Sequence, residues 1–180
     1  LEKDLIIFMP GLGGDIDNFS WLGSGLSKKG WPVIFIEHKG SDSLAINSSI
    51  KGSEALPGSA DIYLYRIKDL DSTINAYKQD QLGFKSSNSY ILMGHSLGSL
   101  ISLLYEGNSP NNEFLSRCEN ALDDFALTNL SKLLQCQLSE IPIPEFEKSK
   151  ELKAIVVFNS FGSLIWSNKT NSGIDVPILF

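Results

Sequence analysis

The chain has 180 residues, 42% of them hydrophobic and 20% charged, an ordinary composition with enough length to bury one substantial core. A net charge of −6 and a pI near 4.9 argue against a general binder of nucleic acid or anionic membrane, because both need a basic face to neutralise phosphates. Two cysteines without CxxC spacing and only two histidines argue against a disulfide framework, a redox motif or a zinc cluster, so Cys118 and Cys136 are expected to be buried free thiols and no metal or organic cofactor is expected.

In chain order, the apolar run Leu5 to Met9 stops at Pro10 and the glycine-rich "GLGG", which predicts a buried strand entering a tight loop. Asp15 or Asp17 can cap a following helix, in which Phe19, Leu22 and Leu26 recur at helical spacing until Gly30. The β-branched segment Val33 to Glu37 predicts a second buried strand, and a helix between two such strands suggests a parallel crossover. From His38 to about Asp61 the chain turns to Ser, Gly, Lys and Asn without a period, which predicts a long loop.

Ile67, Leu70, Ile74 and Tyr77 form a helical stripe within Ile62 to Leu82. "YILM" is the third predicted strand, with a helix over Ser96 to Tyr105 after it. Beyond Gly107 to Pro110, stripes through Leu115, Cys118, Leu122 and Phe125, then Leu127, Leu130 and Leu134, predict one or two amphipathic helices, closed by Pro142 and Pro144. "AIVVF" at Ala154 to Phe158 and "VPILF" at Val176 to Phe180 complete the strands. The alternation predicts an α/β fold with a mostly parallel sheet flanked by helices. Residues 1–180 read as a single core segment, with 108–150 a helical cap insertion.

The chemistry is carried by "YILMGHSLGSL". Gly94-His95-Ser96-Leu97-Gly98 is a G-x-S-x-G sequence between an apolar strand and an apolar helix, the context in which small flanking residues let a strained turn project the serine Oγ above the sheet edge. Ser96 is the candidate nucleophile. The oxyanion donors are expected to be the backbone N–H groups of Leu97 and of Leu12 in the first loop, where Gly11 and Gly13 let the backbone approach a substrate. The same loop is no dinucleotide fingerprint, because Ile16 stands where G-x-G-x-x-G needs its last glycine.

Four stretches, "IIFMPGLGG" with "FSWLGSGLSKKGWPVIFIEHKGSD", "ILMGHSLGSLISL", "LSKLLQCQL" and "LKAIVVFNSFGSLIW" leading to "VPILF", resemble the α/β-hydrolase superfamily. Within it they are similar to dienelactone hydrolase-like and platelet-activating-factor acetylhydrolase-like esterases. The resemblance implies a sheet order in which the strand before His38 lies two places from the nucleophile strand. It also implies a serine esterase acting on a lactone, a short acyl ester or a lipid-like ester, with a small-molecule partner and an acyl-enzyme. Where such proteins carry His-Gly-x-Gly in the oxyanion loop, this chain has Pro10 in place of the histidine.

The family orders its triad as serine, acid, histidine, whereas His38 and His95 both precede Ser96. His95 belongs to the elbow and is expected to pack locally. His38, two strand spacings or roughly 10 Å away, is expected to be structural or part of a substrate loop. Asn159 occupies one of the two acid positions and cannot carry the negative charge that stabilises an imidazolium. The resemblance therefore implies a truncated fold, incomplete at both ends, with the acid and histidine beyond Phe180 and no useful turnover from this segment alone. Two alternatives remain: a non-catalytic binding protein of the same fold, or a thioesterase, acyltransferase or peptidase using the same elbow. No run of about 20 apolar residues spans a bilayer, no signal peptide precedes the first strand and cysteines are sparse, so a cytoplasmic location is the default; the oligomeric state is open.

Overall fold

The computed structural model describes residues 3–52, 61–84, 87–107, 112–123, 130–160, 162–166 and 173–180. Its centre is β1 (Leu5–Met9), five consecutive buried residues that the Pro10–Gly11 step ends. A strand with no exposed face must be covered on both sides, and alternate residues point to opposite faces. Leu5, Ile7 and Met9 accordingly join one core cluster, and Ile6 and Phe8 another.

Parallel neighbours flank β1: β2 (Val33–Phe35) pairs Phe35 with Phe8, and β3 (Tyr90–His95) pairs Gly94 with Met9. β4 (Leu152–Phe158) follows β3 and pairs Phe158 with His95, and β5 (Ile178–Leu179) closes the described sheet. The order is β2-β1-β3-β4-β5, parallel throughout, so the α/β class with a mostly parallel sheet holds, and β2 lies two places from β3 as expected.

On the Ile6–Phe8 face, a short 3₁₀ turn (Ile16–Phe19) leads into α1 (Ser20–Lys28). Asp15 caps the turn by accepting from the Asp17 N–H, and Phe19, Leu22 and Leu26 pack under the sheet as their spacing predicts. On the other face lie α3 (Asp61–Lys78) and α4 (Leu97–Glu106). α4 is buried along its whole length, and burying each of its leucines contributes about 1.5–3 kcal/mol.

Two expectations need correction. The stretch after His38 is not one long loop, because α2 (Ser43–Ile50) forms inside it; residues 53–60 lie outside the described residues. Asp42 N-caps α2 by accepting from the Ala45 N–H at 2.8 Å, a local bond that outweighs a composition of turn formers. Nor are the cysteines free: Cys118 in α5 (Asn112–Asp123) and Cys136 in α6 (Leu130–Gln137) form a disulfide, with Cα atoms 5.5 Å apart. They are 18 residues apart in sequence, and the packing of α6 on α5 brings the two sulfurs together.

Among the described side chains of α5, Phe114, 2% exposed, and Cys118 are buried while Leu115 is 48% exposed, so at its start the buried face carries Phe114 in place of the predicted Leu115. Phe125 and Leu127 lie outside the described residues. Arg117 of α5 donates to the Leu164 and Ile165 carbonyls, and Gln135 of α6 accepts from the Leu164 N–H, which fixes the pair against the segment after β4. β2 stops at Phe35 rather than Glu37.

Candidate active site

Ser96 stands between the end of β3 and the start of α4, partly buried, with φ +52° and ψ −114°. A non-glycine residue in that region is strained by roughly 1–3 kcal/mol and stays there only when its surroundings leave no alternative. Those surroundings are glycine at both ends of the turn. A Cβ on Gly94 would lie 2.3 Å from the Gly98 carbonyl carbon, and one on Gly98 would lie 2.0 Å from the Met9 carbonyl oxygen. The backbone of α4 thus crosses directly over β3 and β1, which drives the chain through a sharp reversal at Ser96.

Hydrogen bonds hold that reversal to β4. The Ser96 N–H donates to the Phe158 carbonyl at 2.9 Å. The buried Ser99 hydroxyl lies 2.6 Å from the Gly94 carbonyl, 3.0 Å from that of Phe158, and accepts from the Phe158 N–H at 3.2 Å. Asn159 follows with φ +49°, exposed at the same sheet end.

The loop after β1 lies against the elbow. A Cβ on Gly11 would sit 3.1 Å from the Ser96 Cβ and 3.2 Å from His95 Nδ1, so residue 11 must be small for the two loops to touch. Gly13, at φ +68°, donates its N–H to the Ser41 carbonyl at 2.9 Å, and the Gly14 N–H returns to the Gly11 carbonyl at 3.1 Å. Leu12 is partly buried beside the core. His95 packs between Gly11 and Phe19, whose ring centroid is 5.6 Å from its own, consistent with the local role expected for it.

Sequence reasoning passed over what lies behind this loop. Arg66 of α3 is 1% exposed, and its guanidinium donates to the Pro10 carbonyl at 2.6 Å, the Gly11 carbonyl at 3.0 Å and the Ser41 hydroxyl at 2.9 Å. The signal was present: Arg66 shares the buried stripe of Ile62, Ile67, Leu70 and Ile74, where an apolar residue is the norm. Burial lowers the Arg66 pKa to about 10, with Asp69 and Asp42 opposing, so it remains a cation at neutral pH.

His38, 2% exposed, has Nδ1 2.8 Å from Asp69 Oδ2. Burial, reinforced by the Arg66 charge, pushes its pKa down to about 3, and this outweighs the pull of a partly exposed carboxylate. The neutral ring then donates Nδ1–H to Asp69, and Nε2 finds no partner among the described residues. A cavity of ≈ 90 Å³ lies here, lined by His38, Ser41, Ile62, Tyr65 and Arg66 among others.

The structure therefore brings Gly11, Gly94, Ser96 and Gly98 together, with Leu12, Gly13 and Leu97 beside them. It gives His38 a partner in Asp69 rather than in Ser96. Among the described residues no group of three His, Cys, Asp or Glu side chains could hold a metal ion, and no helix is long and apolar enough to cross a membrane.

No protein-family description matches the sequence, and no curated protein matches it either. Among solved structures the chain is similar to an acetyl xylan esterase, with 13% identity and a TM-score of 0.49 over 87% of this chain and 62% of that one. It is also similar to a protein from Xanthomonas campestris pv. campestris classed as a hydrolase of the alpha/beta superfamily, with 13% identity and a TM-score of 0.44 over 98% of this chain and 69% of that one. The chain thus spans 62% of the length of the acetyl xylan esterase.

Proposed function

We propose that the protein is a serine hydrolase of the α/β-hydrolase type, acting on a carboxylic ester through an acyl-enzyme. The observation that carries this reading is the backbone of Ser96, held at φ +52° by glycines that admit no Cβ, at the end of a central strand and the start of a buried helix. A tight turn alone could be made with less strain; a strained serine aimed off the sheet edge has a use when its Oγ must reach a substrate.

In this mechanism Ser96 Oγ attacks the ester carbonyl. The carbonyl oxygen becomes negative and is received by the Leu97 N–H, at the positive end of the α4 dipole, and by the Leu12 N–H. The alcohol leaves, and water then attacks the acyl-serine to release the acid. A general base must take the Oγ proton and return it to the leaving alcohol; His95 is packed against Phe19 and Gly11 and His38 is buried on Asp69, so neither serves, and a histidine–acid pair outside residues 1–180 would carry that proton. Residues 1–180 alone are accordingly expected to bind an ester at the elbow without turning it over at an ordinary enzyme rate. The ester in this reading is a lactone, a short acyl ester or a lipid-like ester, and a thioester or peptide would meet the same elbow. Residues 108–150, with α5 and α6 clamped by their disulfide, are proposed as a cap.

The cytoplasmic expectation rested on sparse, unpaired cysteines, and the Cys118–Cys136 bond removes that premise. An oxidising compartment suits the bond better.

One observation favours a second reading, a non-catalytic binding protein: both histidines are committed elsewhere. A fluorophosphonate probe, applied to protein that includes a histidine–acid pair outside residues 1–180, separates the two, with the adduct located by peptide mass and Ser96→Ala as the control. Modification of Ser96, abolished in the variant, is expected. An unmodified Ser96 in folded protein would overturn the hydrolase reading.

A further inference from the structure

The four hydrogen bonds of the Arg66 guanidinium end on neutral oxygen atoms: Nη1 on the Pro10 carbonyl at 2.6 Å, Nη2 on the Gly11 carbonyl at 3.0 Å and the Ser41 carbonyl at 3.3 Å, and Nε on the Ser41 hydroxyl at 2.9 Å. A buried cation is expensive unless its placement does something, because desolvation alone amounts to several kcal/mol. Where these bonds fall suggests what that is.

Each peptide unit carries the C=O of one residue and the N–H of the next, and in the trans form the two point in opposite directions. No cis peptide bond occurs among the described residues. The Gly11 carbonyl held by Arg66 therefore belongs to the same peptide unit as the Leu12 N–H, and the Pro10 carbonyl to the same unit as the Gly11 N–H. A guanidinium gripping both oxygens turns both N–H groups to the side away from itself. A Cβ added to Gly11 would come within 3.1 Å of the Ser96 Cβ and 3.2 Å of His95 Nδ1, so the loop lies between the elbow and Arg66. The next N–H along, Gly13, is tied back to the Ser41 carbonyl, and Ser41 is itself held by Arg66.

Charge adds to direction. A hydrogen bond from a cation to a carbonyl polarises the whole amide, which makes the N–H at its other end a stronger donor. Lysine would supply a similar charge but not a planar fork reaching three residues at once.

We propose that Arg66 is a positioning residue for the oxyanion hole: by holding the Pro10 and Gly11 carbonyls it aims and polarises the Leu12 N–H toward the oxygen that becomes negative when Ser96 attacks. The proposal rests on the serine-hydrolase reading, and its test must be able to fail separately from it.

In the full chain carrying Ser96→Cys, the introduced thiol reacts with two reagents of different demand. Iodoacetamide alkylates it without forming an oxyanion, whereas p-nitrophenyl acetate acylates it through one. Adding Arg66→Gln is expected to slow acylation about 10- to 100-fold, somewhat less than the loss of a whole oxyanion donor, while alkylation stays within about two-fold. Adding Arg66→Lys instead is expected to give an intermediate loss of acylation, and it decides the matter if the glutamine variant does not fold. Equal acylation with and without Arg66, or acylation and alkylation falling together, would overturn the proposal. Alkylation without any acylation, even with Arg66 in place, would instead count against the serine-hydrolase reading itself.

Discussion

At the elbow, a single added methyl group on Gly98 would come within 2.0 Å of the Met9 carbonyl oxygen, whereas the α5–α6 pair is tied by one covalent bond, two donations from Arg117 and one acceptance by Gln135. The first region is specified by backbone packed on backbone, which cannot yield. The second is specified by a crosslink and side chains, which can. Precision is concentrated in the few residues that set the angle of Ser96 and the loop facing it, with looser tolerance in the helices that follow.

The largest expected effect breaks the first region. Gly98→Ala forces backbone apart at the crossing of α4 and β1 and should destabilise the fold by about 3 kcal/mol or more, the upper end of overpacking costs. Urea unfolding measures it, and a loss below about 1 kcal/mol would mean that the crossing is not as close as 2.0 Å. A change of similar chemistry at Gly25, where a Cβ meets nothing within 4 Å, serves as the comparison.

Next comes the second region. Removing the disulfide by Cys118→Ser with Cys136→Ser should lower stability by about 3 kcal/mol, as expected for a crosslink closing a loop of this size, and Tm by about 6–12 °C. The fluorophosphonate rate at Ser96 should stay within about two-fold if the elbow owes nothing to α5 and α6. A larger change would join the two regions and favour the cap.

Much of the elbow was legible because its constraints are local. G-x-S-x-G after an apolar strand states its own geometry, and the strand and helix beside it follow from runs and spacings of apolar residues. What could not be read depends on contacts distant in sequence. Arg66 is 55 residues from the Gly11 carbonyl it holds, and His38 is 31 residues from Asp69. No spacing rule links such pairs, although a charged residue on a buried helical face marks the place where one is needed. The cysteines failed for a related reason, because pairing depends on how α6 folds back on α5 and not on the residue count between them. α2 was missed because its composition is that of a turn, and its Asp42 cap becomes visible only once the helix is known.

The smallest effect distinguishes the two regions by pH. His38 lies behind the loop after β1, where Arg66 and Asp69 face it and Lys39 lines the same cavity, and its pKa is lowered from 6.5 to about 3 in the folded chain. Between those values the unfolded chain binds a proton that the folded chain refuses, so stability is fully present above pH 6.5 and falls as the solution is acidified toward pH 3. From pH 7 to pH 5 the loss through this one group should reach roughly 2 kcal/mol, at about 1.4 kcal/mol for each pH unit below the unfolded value. Asp69 acts in the opposite sense, because burial holds its carboxyl above the ordinary range and the folded chain takes up that proton first, which offsets part of the loss at the acid end. Urea unfolding of the parent and of His38→Gln at both pH values isolates the difference, since the variant lacks this buried imidazole and should be flatter by that amount. Hydrogen exchange then locates it: acid should loosen the amides of the Pro10–Gly14 loop and α2 before those of α5 and α6, which the disulfide holds at either pH. Equal slopes in parent and variant would mean that His38 takes its proton without unfolding, and the buried neutral imidazole behind the Pro10–Gly14 loop would have to be abandoned.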